Sequence, residues 1–353
     1  MNRQNNFDLL RLFAASQVLY FHALEHLQLG SATSSAFNRV LSQFPGVPIF
    51  FVISGFLITA SFLRNRTALL GYAHNRVLRI FPALIVCTLF TTGLLAYFGY
   101  ASTNWRMGAW LLGQVTVLPI YNPDFLRGFG VGDPNGALWT IPVEIQFYIF
   151  VPLFFGVWFA LAGDGLKKLL TVLVGFIVGS FAVYTWYMAA DRTPLVMQVF
   201  YISLLPHLWM FLLGAVAYVA WSHMRHVLEG KALLWALAYG VFIALGAISS
   251  LGVLGPFAQK ALLALLVLSS AFTLPKLAHI ILRRADVSYG LYLYHMPVIN
   301  TFVELGKTGS WLFCVAAWGV SVCLAVASWF GVERPALQLK RKKTVFAPAE
   351  GLG

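Results

Sequence analysis

Residues 7–27 read FDLLRLFAASQVLYFHALEHL, and the fold turns on how this stretch is interpreted. It is apolar enough and, at about 1.5 Å per residue, long enough to cross a hydrocarbon core of about 30 Å. It nevertheless carries Asp8, Arg11, His22, Glu25 and His26. At about 100° per residue Arg11 and His22 share one helix face about 16 Å apart, with the other three close to the same stripe. An ionisable group near the centre of a span costs at least about 2.5 to 3.5 kcal/mol, so this polar seam must face protein or a wet cavity. A plainer alternative makes Asp8 and Arg11 anchors at one membrane face and His22 a core histidine. His22 lies some 22 Å along the helix from its start, too deep for an anchor at that face. It needs a buried partner on either reading.

The remainder of the chain is built to house such a helix. Of 353 residues, 59% are hydrophobic and 10% charged, against about 25% charged in soluble domains. The expected fold is all-α: a polytopic integral membrane protein. Windows of about 20 apolar residues place about ten spans, near 7–27, 46–63, 77–99, 139–162, 169–190, 199–221, 233–251, 257–275, 287–305 and 311–331. A further apolar piece, 107–121, is short and interrupted by Gly113, Gln114 and Pro119, and is expected to be re-entrant or interfacial. Charge supports that count. Both termini and most Lys and Arg, among them Arg64, Arg66, Arg76, Arg79, Lys167, Lys168, Lys276 and Arg334, are then cytoplasmic, with Arg39, Arg106, Arg127, Arg192, Lys260 and Lys307 outside. Counting 107–121 as a span would invert everything after it, against the positive-inside rule.

These spans predict one transmembrane domain over residues 1–335, a short basic cytoplasmic tail over 336–353, and residence in the cell membrane. Asp8 and Arg11 inside the first apolar stretch argue against a removable signal peptide. The net charge of +12 is dispersed between spans with no nucleic-acid motif to gather it, so membrane lipid and an anionic ligand are the expected partners and nucleic acid is not. Cys87, Cys314 and Cys323 sit in apolar segments without metal-ligand spacing, and no metal is expected.

Four further stretches carry chemistry. PGVPIFFVISGFLITASFL, residues 45–63, holds Ser54 and Gly55 at mid-depth, where small residues either admit a neighbouring backbone or serve a site. In HNRVLRIFP, residues 74–82, Arg76 and Arg79 lie three apart on one helix face at a membrane boundary. Paired guanidiniums make a multidentate phosphate receptor, and also an ordinary membrane anchor. Glu144 follows a turn cluster and Pro142, about one and a half turns into the membrane, where a carboxylate marks a functional site by default. It is placed in the same outer half as His22. In DVSYGLYLYHMPV, residues 286–298, Ser288 is the expected N-cap, and Tyr289, Tyr292 and His295 follow at three-residue steps along one face. No nucleophile elbow, zinc motif, phosphate-binding loop or dinucleotide fingerprint occurs. A histidine and a carboxylate at outer depth, with arginines at inner depth, suit acyl transfer from a phosphate-bearing donor inside to a hydroxyl outside. A transporter or flippase of an anionic or lipid-linked sugar, or a structural membrane subunit, would use the same seam differently.

Taken in order, NNFDLLRLFAASQVLYFH (5–22), PIFFVISGFLI (48–58), NRVLRIFPAL (75–84), LWTIPVEIQFY (138–148) and VSYGLYLYHMPV (287–298) resemble the acyltransferase family 3 integral-membrane acyltransferases over almost the whole chain. The family's arginine, ten residues, histidine motif is met by Arg11 and His22, and its arginine pair by Arg76 and Arg79. The resemblance implies transfer of an acyl group, usually acetyl, from cytoplasmic acyl-CoA to a hydroxyl of a carbohydrate or lipid-linked glycan of the cell envelope. It implies a catalytic His22 and a CoA-phosphate site at Arg76 and Arg79. Together with the residue types, this assigns catalysis to His22, Glu144 and Arg11 and donor binding to Arg76, Arg79, Tyr292 and His295. Glu144 would orient His22, and Arg11, Tyr292 or His295 would stabilise the oxyanion.

Overall fold

The fold, obtained as a computed structural model, describes residues 5–30, 35–64, 66–116, 118–161, 163, 165–283 and 285–339. The expected basic tail therefore lies, from residue 340 onward, outside the described residues. Every regular element among the described residues is helical. In chain order they are α1 (Phe7–His26), α2 (Ala36–Leu41), α3 (Gly46–Leu63), α4 (Leu69–Tyr97), α5 (Trp105–Gln114), α6 (Thr140–Leu161), α7 (Leu166–Ala189), α8 (Leu195–Tyr201), α9 (Leu208–Val219), α10 (Trp221–Leu228), α11 (Ala232–Ala244), α12 (Ala247–Ser250), α13 (Leu254–Ala271), α14 (Leu277–Leu282), α15 (Ser288–Glu304) and α16 (Trp311–Ser328). The last continues through a π-helical turn, Trp329–Glu333, into α17 (Arg334–Gln338).

The chain is a multi-pass membrane protein, and most predicted spans fall on single helices, whereas 233–251 is divided at Gly246, φ +63°, between α11 and α12. Among the described residues six helices are long and apolar enough by themselves to cross a bilayer, within 36–63, 69–97, 136–161, 166–189, 254–271 and 311–338. Helices α1, α9, α11 and α15 are shorter or more polar and pack against them. The ten-residue α5 is about 15 Å long, half of a hydrocarbon core, as expected of a piece that does not cross. The predicted span over 199–221 is not continuous, because the chain leaves helical geometry between α8 and α9. The freed backbone is met by side chains. The Gln146 amide donates to the Ile202 carbonyl and accepts from the Leu204 N–H, both at 2.9 Å. Ser180 donates to the Leu205 carbonyl at 2.6 Å and accepts from the Trp209 N–H at 3.0 Å. Non-helical backbone at membrane depth persists only where such partners exist.

Close backbone approach sets the packing. A Cβ on Gly55 would fall 1.8 Å from the Phe211 carbonyl oxygen, and one on Gly214 would fall 2.1 Å from that of Val52, so α3 and α9 meet backbone to backbone. On its other side α3 meets α1, where the Gly46 N–H donates to the buried Gln17 side chain at 2.8 Å. Helix α15 covers the opposite flank of α1, leaving α1 enclosed between two helices that can meet its polar groups.

Prolines inside spans release carbonyls that the fold recaptures. Pro297 cannot bond the Leu293 carbonyl, which instead accepts from Asn135 Nδ2 at 3.0 Å and the Cys87 thiol at 3.3 Å. Pro152 likewise frees the Tyr148 carbonyl, and the Tyr72 hydroxyl donates to it at 3.0 Å. The segment before α6 is stapled to the far half of α15. Asn300 Oδ1 accepts from the Val131 N–H at 2.9 Å while its Nδ2 donates to the Asp133 carbonyl at 2.8 Å, and Glu304 accepts from the Gly130 N–H at 2.9 Å. Gly130 has φ +58°, and a Cβ there would meet Asn300 Oδ1 at 2.3 Å, so only glycine fits.

Candidate active site

A cavity of about 420 Å³ runs along one face of α3, lined by Val47, Phe50, Phe51, Ser54, Leu57, Ser61 and Arg64. From Val47 to Arg64 that face is about 26 Å long. Asp8 and Arg11 of α1, Arg76 and Arg79 of α4, and Asp286 line one end, Glu144 and Tyr148 of α6 line the middle, and Thr140 and Tyr292 line the other end. The polar seam of α1 thus meets a wet cavity at its N-terminal half.

At the arginine end Asp286 is the organising group. Arg79 Nη2 donates to its Oδ2 at 2.5 Å, Arg11 Nη1 lies 3.7 Å from the same oxygen and 3.6 Å from Asp8, and the Ser288 hydroxyl donates to Oδ1 at 2.5 Å. The Ser288 N–H also points at this carboxylate, 3.4 Å away, so the acid that caps α15 is Asp286 and not the serine. Burial by itself would push the Asp286 carboxyl up; Arg79 and then Arg11 reverse the sign and hold it below the usual carboxylate range. Arg76 lies over the Tyr148 ring at 5.5 Å and the Tyr72 ring at 5.8 Å. Its Nε is buried without a hydrogen-bond partner among the described residues, so one charged donor of the pair awaits an acceptor. The Tyr148 hydroxyl donates to Glu144 Oε1 at 2.6 Å, and Ser54 Oγ donates to the same oxygen at 3.0 Å. Gly55 packs α3 against α9, and its neighbour Ser54 lines the cavity.

Past the other end of the cavity lies the histidine pair. His295 Nδ1 is 2.7 Å from the Tyr292 carbonyl oxygen, and His295 Nε2 is 2.9 Å from His22 Nδ1. A carbonyl only accepts, so His295 carries its proton on Nδ1 and its Nε2 is an acceptor. His22 Nδ1 must then donate, which leaves the lone pair on His22 Nε2. Protonation of that nitrogen to imidazolium would keep both bonds intact. His295 is fully buried. The structure therefore makes His295, not Glu144, the direct partner of His22. Glu144 bonds Ser54 and Tyr148 instead, and Arg11 remains three turns away with two carboxylates. Neither histidine lines the cavity. Tyr292 stands between, its ring in the cavity wall, edge-on to Phe50 at 5.7 Å and 5.7 Å from the His295 ring. Its hydroxyl donates to the Ala137 carbonyl at 2.7 Å and is 2.8 Å from Thr140 Oγ1.

Comparison with known proteins places the chain in a family. A model described as "Acyltransferase domain" matches residues 4–330. The chain belongs to acyltransferase family 3. Among relatives of this family 3 enzyme, "Nodulation protein 10" of Rhizobium leguminosarum bv. viciae is 35% identical, over 96% of this chain and 94% of its own. An "O-acetyl transferase" of Shigella phage Sf6 is 31% identical over 42% of this chain and 45% of its own, and the "O-acetyltransferase OatA" of Staphylococcus aureus is 28% identical over 41% and 24%. No solved structure is significantly similar. The protein is thus a membrane O-acyltransferase, and it uses an acyl donor. The ion pairs of Asp286 and the hydrogen bond from Tyr148 to Glu144 add these two residues to those read from sequence. The available signal for Asp286 was an acid placed directly before a helix in a chain with only 12 acidic residues.

Proposed function

We propose that this O-acyltransferase takes an acetyl group from acyl-CoA at the arginine end, facing the cytoplasm, and delivers it to a hydroxyl of a cell-envelope carbohydrate or lipid-linked glycan at the histidine end. The observation that carries the reading is the chain from the Tyr292 carbonyl through His295 to His22, which leaves His22 Nε2 free to accept a proton. In the proposed reaction His22 Nε2 takes the acceptor's hydroxyl proton as that oxygen bonds the thioester carbonyl carbon. The carbon–sulfur bond then breaks, and the sulfur leaves as thiol with the proton returned from His22. His295 positions His22 and fixes its tautomer.

Donor binding rests on residues that suit it. Arg76 supplies a half-buried guanidinium whose buried Nε has no hydrogen-bond partner among the described residues, and Arg79 and Arg11 hold charge around Asp286. Glu144 and Tyr148 line the path of the pantetheine arm, and Tyr292 meets its acyl end. The names of the phage and staphylococcal relatives support acetyl as the group moved. The test is purified protein given acetyl-CoA with and without candidate glycans. Acceptor-dependent release of CoA thiol supports the reading, whereas accumulation of a sugar in vesicles without thiol release would replace it with transport.

A further inference from the structure

A second cavity, of about 570 Å³, opens beside the first at its arginine end, within the range of ligand pockets. Its wall includes Arg283, Arg334, Phe330 and Gln338, and it shares Trp329 and Leu337 with the main cavity, so a single layer of side chains separates the two. Among the described residues neither Arg283 nor Arg334 forms an ion pair, since the four bridges present involve Arg11, Arg79 and Arg127. The Arg334 guanidinium lies 5.9 Å from the Phe330 ring centre. Arg283 is held at φ +46°, a left-handed conformation unusual for a side-chain-bearing residue.

Resting on the proposed donor reading, we infer that this second cavity holds the nucleotide end of the donor, its purine against Trp329 and Phe330 and its 3′-phosphate on Arg283 and Arg334. Direction carries the argument. If the thioester must approach His22 and the pyrophosphate must lie at Arg76 and Arg79, the adenosine is forced away from His22 and past the arginines, which is where this space opens. Its chemistry fits what arrives there. Two guanidiniums free of carboxylates match a phosphate monoester, aromatic faces take a purine, and the Gln338 amide offers a donor and an acceptor to a base edge. An anionic lipid headgroup would present the same phosphate chemistry without the purine.

The experiment compares equilibrium binding of CoA and dephospho-CoA, which lacks the 3′-phosphate, to the protein in phosphatidylcholine nanodiscs. Both arginines are exposed, so glutamine at either position does not threaten folding. The wild-type protein is expected to bind CoA about ten to a hundred times more tightly than dephospho-CoA, the range for charge-assisted hydrogen bonds. Arg283→Gln with Arg334→Gln should abolish that preference while leaving dephospho-CoA affinity unchanged. A preference that survives in the double variant, or one never present in wild type, overturns the inference. So does an effect of the double variant seen only as lost retention of phosphatidylglycerol in a parallel set of nanodiscs that contain it, which would make the site a lipid site. Failure of wild type to bind either nucleotide would instead remove the donor reading on which the site depends.

Discussion

At the scale of single residues, substitutions at the two paired imidazoles distinguish a catalytic from a structural His22. His22→Gln keeps polarity without a titratable nitrogen, and kcat should fall about 100- to 10,000-fold with the KM for acyl-CoA nearly unchanged. His295→Ala removes the acceptor for His22 Nδ1–H and should lower kcat by less. His295→Gln, whose amide can accept from His22 and donate to the Tyr292 carbonyl, should recover part of that loss. Normal turnover by a well-folded His22→Gln protein would sink the mechanism. Asp286 gives an independent test. A carboxyl held below its usual range stabilises the fold above the ordinary carboxylate pKa, and that stability disappears as pH falls through the lowered value. Asp286→Asn should therefore cost about 3 kcal/mol or more at neutral pH, since it strands the partly buried Arg79 guanidinium and leaves Arg11 with Asp8 alone, and should flatten the loss of melting temperature in acid. A variant that melts like wild type at pH 7 would show that Arg79 and Arg11 do not depend on it.

At the scale of elements, much was legible in the sequence because the relevant signals are local. The seam of α1, the one-face spacing of Arg76 and Arg79, and the shortness of the 107–121 piece all follow from periodicity and length. What periodicity does not encode is partners distant in the chain. Nothing near His295 announces that its ring meets a residue at position 22, and nothing near Glu144 announces that Ser54 and not His22 is its neighbour. The break between α8 and α9 escaped for a related reason: its apolar composition satisfies a hydropathy window, while Gln146 and Ser180, which allow the break, lie on other helices. The α3–α9 contact can be tested directly. Gly214→Ala would push a Cβ into the Val52 carbonyl oxygen and should destabilise by about 1 to 3 kcal/mol. Gly175→Ala, where nothing lies within 4 Å, should be neutral or slightly stabilising. Equal melting temperatures for the two would contradict the close approach.

For the whole molecule, the charge bias that orients the chain predicts both termini in the cytoplasm and the 122–138 segment outside. Reporter fusions at Asp133 and Gly351 check this, an inside signal at the first or an outside signal at the second being the contrary result. Among the described residues six helices satisfy length and hydropathy alone, and α1 and α15 are not among them. Helices α1 and α15 carry the polar groups proposed for the reaction, and a helix bearing such groups is stable at membrane depth only when enclosed by more apolar neighbours.

The cavity along α3 has one more consequence, for the membrane as an electrical insulator. If water fills that cavity along about 26 Å of the α3 face, little of a roughly 30 Å hydrocarbon core is left intact. What remains is the ring layer of Phe50 and Tyr292 and the segment stapled to Asn300 and Glu304. The membrane potential, worth about 2.3 kcal/mol per charge at 100 mV, then drops almost wholly across those few side chains. On the proposed reading, the groups that separate donor from acceptor would thereby also be the seal against leakage. Liposomes carrying Phe50→Ala with Tyr292→Ala should conduct protons or small anions under an imposed potential while wild-type liposomes stay tight; equal conductance would put the seal elsewhere.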